Sequence, residues 1–192
     1  IMHELSRIHS HLLWMGLAAD AFGFESLFMH SWRLRERILD IFEAVAGGRV
    51  ILSYTLIGGV TKDIDAPMLQ AIKDKLASIK DEYKQICNAF LKDTSVKNRL
   101  VGVGYIAPED AFGYGMVGPF ARASNLNNDV RCLGIGAYGD LAEFKPILST
   151  DGDCYARVQV RAEEVLQSID IIRQAAAKMP KYFTLRGMTK KS

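Results

Sequence analysis

The sequence predicts a mainly α fold: a helical bundle with a small β element and a long, glycine-rich ordered loop region. Two stretches place apolar residues in alternating steps of three and four, the heptad seam of helices packed at a shallow angle. Each seam lasts only about three to four heptads, which favours a bundle core over a free-standing coiled coil. The seams are Leu69, Ile72, Leu76, Ile79, Tyr83, Ile86 and Phe90, then Tyr155, Val158, Ala162, Val165, Ile169, Ile172, Ala176 and Met179.

Four helical stretches are predicted in order, and three of them carry recognisable start or stop residues. The second ends at Gly47-Gly48, where a helix commonly adopts a left-handed cap. The third begins with Asp65 as its N-cap and Pro67 in its first turn, and Pro180 stops the fourth. The first two have apolar faces on Leu5, Ile8, Leu12 and Met15, and on Phe28, Trp32, Ile38, Ile41 and Val45.

The remaining chain has a different periodicity. Residues 50–56 are β-branched and aromatic, lie between two glycine pairs, and are predicted to form a short strand. Residues 102–153 contain many glycines and no long period, so an ordered loop with short strands or turns is expected. An aperiodic connection of this length is uncommon in a compact domain. It indicates either a functional surface or a segment packed against a partner.

Composition excludes several classes of function. The net charge is +2 and the 24 basic and 22 acidic residues are spread through the chain, which is not typical of nucleic-acid binding. Cys87, Cys132 and Cys154 form no Cys-x-x-Cys pair, so no metal site, cofactor or disulfide is predicted within these residues. No apolar run approaches the roughly 20 residues of a membrane span, so no direct span is expected.

The sequence also suggests how the chain is divided. Residues 1–180 carry the periodic pattern and are predicted to form one domain. Residues 181–192 are expected to be a basic tail leading into a missing region. Because the apolar pattern begins at once with Ile1, an internal fragment of a longer protein is expected.

One charged stripe lies on the fourth helical stretch. Arg157, Arg161 and Glu164 follow an i, i+4, i+7 spacing and therefore share a face. A solvated face is one interpretation. The other is a buried charge network, whose members must all be paired because buried charge is costly.

Several motifs, in matching order and spacing, together resemble one superfamily. It comprises the large subunit of membrane-bound, energy-converting [NiFe] hydrogenases and the D subunit of NADH:quinone oxidoreductase (respiratory complex I). The motifs are residues 4–16, 33–40, 57–63, 118–131 and 152–168.

The resemblance implies a hydrogenase-like, mainly helical large subunit that is part of an electron-transfer oxidoreductase. The first expectation is a membrane-bound [NiFe] hydrogenase, with the alternative of quinone reduction and the further alternative of a non-catalytic scaffold. A nickel–iron centre or a quinone is implied for the full-length parent, and none for this fragment. The implied partners are an iron–sulfur (small) subunit and membrane-arm subunits, in a peripheral arm on the cytoplasmic face of the membrane.

Site residues are implied less directly. The catalytic residues are left unassigned, with His11, Asp20 and Asp63 as candidates to line the redox cavity. Residues 102–153 are expected to form a subunit interface, because they carry more aromatics than a solvated loop needs. The polar side chains expected to contact the partner are Arg122, Ser124, Asp129 and Arg131.

Overall fold

The computed structural model describes residues 1–134, 138–141 and 143–179. Pro180 and the basic tail at 181–192 lie outside the described residues. Within them the chain is mainly helical with one small sheet, as predicted. The elements are α1 (Met2–Ala21), α2 (Glu25–Ala46), β1 (Thr55–Leu56), β2 (Gly59–Val60), α3 (Ala66–Lys92), α4 (Thr94–Leu100), α5 (Pro108–Gly113), α6 (Gly118–Ala123), a 3-10 turn (Val130–Leu133), α7 (Tyr138–Leu141) and α8 (Cys154–Ala177).

The core lies between the four long helices. Helix α1 packs on α2 and α8, and α3 packs on α2 and α8. Direct packing of α3 on α8 confirms the prediction from their seams. Ile79 and Ile169, near the two seam centres, are 0% and 1% exposed.

The start of α3 and the end of α2 have the capping residues that the sequence predicts. The Asp65 carboxylate accepts a hydrogen bond from the Met68 backbone N–H at 2.8 Å, and Pro67 occupies the first turn of α3. Gly47 ends α2 with φ of +77°, a left-handed conformation that glycine adopts without steric cost.

The β element is smaller than predicted. Strands β1 and β2 pair antiparallel, Thr55 with Val60 and Leu56 with Gly59. Val50 and Ile51 lie outside the strand and are exposed, so the strand predicted at residues 50–56 is wrong in its extent. The apolar side chains of residues 50–54 therefore take no part in sheet pairing among the described residues.

The glycine-rich region contains short helices where strands or turns were expected. Its ends are fixed by backbone hydrogen bonds from Ile106 to Gly152, from Gly152 to Ala123 and from Cys154 to Val103, at 2.9–3.0 Å. These bonds join the two ends of the region next to the start of α8. Within the region, α6 packs on α8, and Arg131 contacts Glu4 of α1.

Candidate functional site

Helix α1 carries a polar stripe beside its apolar face. Glu4, Arg7 and His11 follow i, i+3, i+7 spacing and therefore lie on one side of the helix. Glu4 and His11 are buried, while Arg7 keeps 22% of its side chain exposed. Charged side chains are rarely buried without partners, so this stripe marks a site that the rest of the fold must complete.

Glu164 of α8 is the centre of one half of the site. Its Oε2 atom accepts a hydrogen bond from His11 Nε2 at 2.8 Å. Its Oε1 atom accepts another from Arg122 Nε at 2.6 Å. Arg7 Nη1 lies 3.5 Å from Oε2. The side chain is fully buried, and contacts from two other helices, α1 and α6, stabilise its charge.

Arg131 is the centre of the other half. Its guanidinium binds Asp129 through Nη2 at 2.7 Å and Nε at 3.0 Å. Its Nη1 atom lies 3.2 Å from Oε2 of Glu4, and its Nη2 donates to Gln167 at 3.2 Å. The Tyr138 hydroxyl donates to Glu4 Oε1 at 2.7 Å. A planar guanidinium with several fixed donors suits such multiple contacts.

These side chains form what we call the buried charge cluster. Three arginines face three carboxylates, with His11 as the remaining titratable group. Breaking one buried pair leaves an uncompensated charge, so the cluster behaves as one unit. Its members are Glu4, Arg7, His11, Arg122, Asp129, Arg131 and Glu164.

The cluster shifts the pKa values of its acids and its histidine. Burial alone would raise the pKa of Glu164, but hydrogen bonds from His11 and Arg122 outweigh it and lower the pKa to about 2. The pKa of Asp129 is lowered as well, because Arg131 outweighs its burial. Burial lowers the pKa of His11 despite the neighbouring carboxylate. The histidine is therefore neutral at pH 7 and donates its N–H to Glu164.

The charged stripe of α8, predicted to be either a solvated face or a buried charge network, matches neither interpretation completely. Glu164 and Arg157 are buried and Arg161 is half-buried, so the face is not simply solvated. Glu164 pairs with the cluster, whereas Arg157 donates to the carbonyls of Gly104 and Gly152. Arg161 donates to the Arg157 carbonyl. The three residues therefore do not form one mutual network.

The predicted cavity residues are not brought together. His11 belongs to the buried charge cluster, where Glu164 holds it. Asp20 is exposed at the end of α1, and Asp63 is exposed after β2. No shared cavity between these three side chains is seen among the described residues, and their role in a redox cavity stays a prediction.

The four polar side chains assigned to an interface lie inside the chain. Arg122, Ser124, Asp129 and Arg131 are each at most 5% exposed. The charged partners of the two arginines are other members of the buried charge cluster. Their interface role stays a prediction that this burial argues against. The exposed side chains of the same segment include Tyr105, Phe112 and Tyr114 instead.

Sequence reasoning missed Glu4, Arg7 and Tyr138 as site residues. A signal for the first two was present, because polar residues at helical spacing continued beside an apolar face of α1. Tyr138 reaches Glu4 from 134 positions away, and no local pattern predicts such a contact.

The described residues do not fit a nickel–iron centre. Soft metals require clustered thiolates, and Cys87, Cys132 and Cys154 are free and lie in different environments. No group of three metal-ligating side chains occurs in the described part of the chain. Equally, none of its helices is long and apolar enough to span a bilayer.

Comparison with known proteins gives extensive matches. The profile of a family described as respiratory-chain NADH dehydrogenase, 49 kDa subunit, matches residues 21–191. The chain is 42% identical over 180 residues to the NADH-quinone oxidoreductase C/D subunit of Phocaeicola vulgatus, covering 94% of this chain and 35% of that protein. It is 39% identical to the NADH-quinone oxidoreductase D subunit of Protochlamydia amoebophila, covering 93% and 44%.

A similar match is found outside those enzymes. The chain is 37% identical over 188 residues to the membrane-bound hydrogenase alpha subunit of Pyrococcus furiosus, covering 94% of this chain and 44% of that protein. The chain thus spans between about a third and under a half of the length of these three relatives.

Proposed function

Because the chain belongs to the respiratory-chain NADH dehydrogenase 49 kDa subunit family, we propose that it is part of the large subunit of an NADH-quinone oxidoreductase. The observation that carries this proposal is the match along nearly the whole chain to relatives with that name, at 42% and 39% identity. The parent subunit would take part in passing electrons from NADH to a quinone. This was the alternative in the sequence analysis, and the comparisons favour it over the hydrogenase.

The hydrogenase remains the second candidate because of one specific observation. The Pyrococcus furiosus relative is a membrane-bound hydrogenase subunit, and its identity of 37% is not far below the others. Since the described residues do not supply a thiolate set, a nickel–iron centre would depend on other parts of the full-length protein.

Within this proposal the chain contributes a scaffold and a docking surface. The four long helices and the buried charge cluster give a rigid wall beside which a redox cavity is built by the rest of the subunit. The partners would be an iron–sulfur subunit and membrane-arm subunits, in a peripheral arm on the cytoplasmic face of the membrane. Each charge of the cluster lies against an opposite charge, and such pairing suits a structural role.

The surface around α5 supports docking of a partner. Phe112, Tyr114 and Val117 are each 69–78% exposed. Phe112 and Val117 line an open groove of about 550 Å³, together with Met116 and Leu126. Exposed aromatic side chains beside a groove are typical of protein interfaces.

Gene disruption followed by complementation tests this function. Membranes of the disrupted strain should lose NADH-dependent quinone reduction, and the wild-type gene should restore it. Hydrogen evolution from a reduced carrier should not change. Loss of hydrogen evolution with intact quinone reduction would instead establish the hydrogenase.

A further inference from the structure

Arg157 differs from the other buried arginines. Arg122 and Arg131 each lie against carboxylates of the buried charge cluster. Arg157 is only 7% exposed, yet among the described residues no carboxylate lies within 4.0 Å of its guanidinium. Its donors reach two backbone carbonyls and the Cys154 sulfur, and its buried Nε atom has no partner.

Arg161 adds a second positive charge one turn further along α8. It is half-buried, stacks over Trp14 with its guanidinium carbon 4.3 Å from the ring centre, and donates to the Arg157 carbonyl. Burial lowers the pKa of Arg161; the charge of Glu164 opposes this shift, and the charges of Arg157 and Arg122 add to it. Two like charges at i, i+4 repel each other.

The position on the helix increases this cost. Arg157 lies at the end of the first turn of α8, where the helix dipole favours negative charge. A buried cation without a carboxylate in contact is unfavourable, and the Phe120 ring, 4.1 Å from the guanidinium carbon of Arg157, offsets only part of that cost. The arrangement is therefore incomplete in the isolated chain, and an anionic group at this place would relieve it.

The surroundings indicate what carries that group. Val103 and Tyr105 flank Gly104, whose carbonyl binds Arg157, and are 50% and 60% exposed. Leu17 lies one turn after Trp14 on α1 and is 52% exposed. Apolar side chains around a central charge suit a protein surface, because they exclude water from the ion pair.

We infer that Arg157 and Arg161, with the flanking Trp14, Val103 and Tyr105, form a docking site for an aspartate or glutamate on an apolar surface of a partner subunit. The subunit context rests on the proposed function. The partner's carboxylate accepts hydrogen bonds from Arg161 and neutralises the pair, and its apolar neighbours cover the exposed side chains. The site shares none of its residues with the lining of the groove beside α5.

A zero-length cross-link on the assembled complex tests this inference. The full-length subunit carries Arg161→Lys, which keeps the charge and supplies an amine that carbodiimide joins to a carboxylate in contact. Mass spectrometry should find the introduced lysine linked to an aspartate or glutamate of another subunit. The matched control is Arg173→Lys on the same helix, where the side chain is 63% exposed, and it should give no such link.

A second variant tests the inference if the Arg161→Lys subunit does not fold or assemble. Arg161→Gln should weaken assembly at least about tenfold, as loss of one partner of a desolvated ion pair does. The melting temperature of the free subunit should stay the same or rise, since a costly charge is removed. A fall in melting temperature that accounts for the lost assembly would overturn the inference.

The outcomes also separate this inference from the proposed function. A link only within the subunit's own chain, or no link in an intact complex, overturns the docking site even if quinone reduction is normal. Binding of free acetate or phosphate to the wild-type subunit with unchanged assembly of Arg161→Gln overturns it too. A link to another subunit in a complex that reduces no quinone supports the docking site and refutes the proposed activity.

Discussion

Arg122 Nε donates a 2.6 Å hydrogen bond to Glu164 Oε1, although the two residues are 42 positions apart. Both side chains are buried. The bond joins α6, in the glycine-rich region, to the middle of α8. Because Glu164 also accepts from His11 of α1, one carboxylate connects three separate segments of the chain.

Replacing Arg122 by alanine should destabilise the fold. The variant leaves Glu164 with fewer donors, and breaking a buried pair by removing one partner costs about 3–5 kcal/mol. Denaturant unfolding should show this loss, while Arg173→Ala, at an exposed position of α8, should change stability by less than about 0.5 kcal/mol. Unchanged stability of the Arg122 variant, with impaired subunit assembly, would restore the interface role.

Acid should unfold the protein through two groups of the cluster. The pKa of His11 is lowered in the folded state, so its contribution is complete above about 6.5 and is lost as pH falls below that value. The pKa of Glu164 is lowered from 4.5 to about 2, so its contribution is present above 4.5 and is lost as pH falls towards 2. That contribution is on the order of 3 kcal/mol.

Unfolding free energies measured from pH 8 down to pH 3 check this expectation. His11→Gln should flatten the curve near pH 6, and Glu164→Gln should flatten it below pH 4.5. Identical curves for these variants and the wild type would show that neither group is linked to folding.

Asp153 should matter more than an ordinary helix cap. One carboxylate oxygen accepts from the Ala156 N–H at 2.8 Å, and the other accepts from the Gly102 N–H at 2.7 Å. Asp65 makes a single capping bond to Met68 on α3. Asp65→Ala should cost about 1 kcal/mol, and Asp153→Ala about twice that. Equal costs would mean that the bond to Gly102 contributes nothing.

The two seams give a prediction for the core. Ile79→Ala and Ile169→Ala should each cost roughly 2–5 kcal/mol, because each leaves a cavity between α3 and α8. Met29→Ala is the control, since that side chain is 63% exposed on α2. Thermal or denaturant unfolding of the three variants provides the comparison, and a small effect at both isoleucines would place the core elsewhere.

Local patterns predicted the bundle well and the charge cluster poorly. Ile79, Ile169, Asp65 and Gly47 obey rules of helical spacing and capping that operate within a few residues. The strand near Val50 was predicted too long because β propensity measures a packed surface, and this side chain is exposed.

The cluster depends on contacts that cross the whole chain. Arg131 reaches Glu4 across 127 positions, and no spacing rule predicts which arginine finds which carboxylate. The burial of Arg122 also depends on such distant contacts, so the interface predicted from the aromatic residues of its segment gave no sign that this side chain lies inside the chain. Packing of the glycine-rich region on α1 and α8 decides these positions.

We propose that the parent subunit works in NADH-dependent quinone reduction. The most direct measurement is the product formed by the complex purified through a tag on the full-length subunit, supplied with NADH and a soluble quinone under anaerobic conditions. Quinol should form as NADH is consumed, with no hydrogen released. Hydrogen evolution without quinol would contradict it.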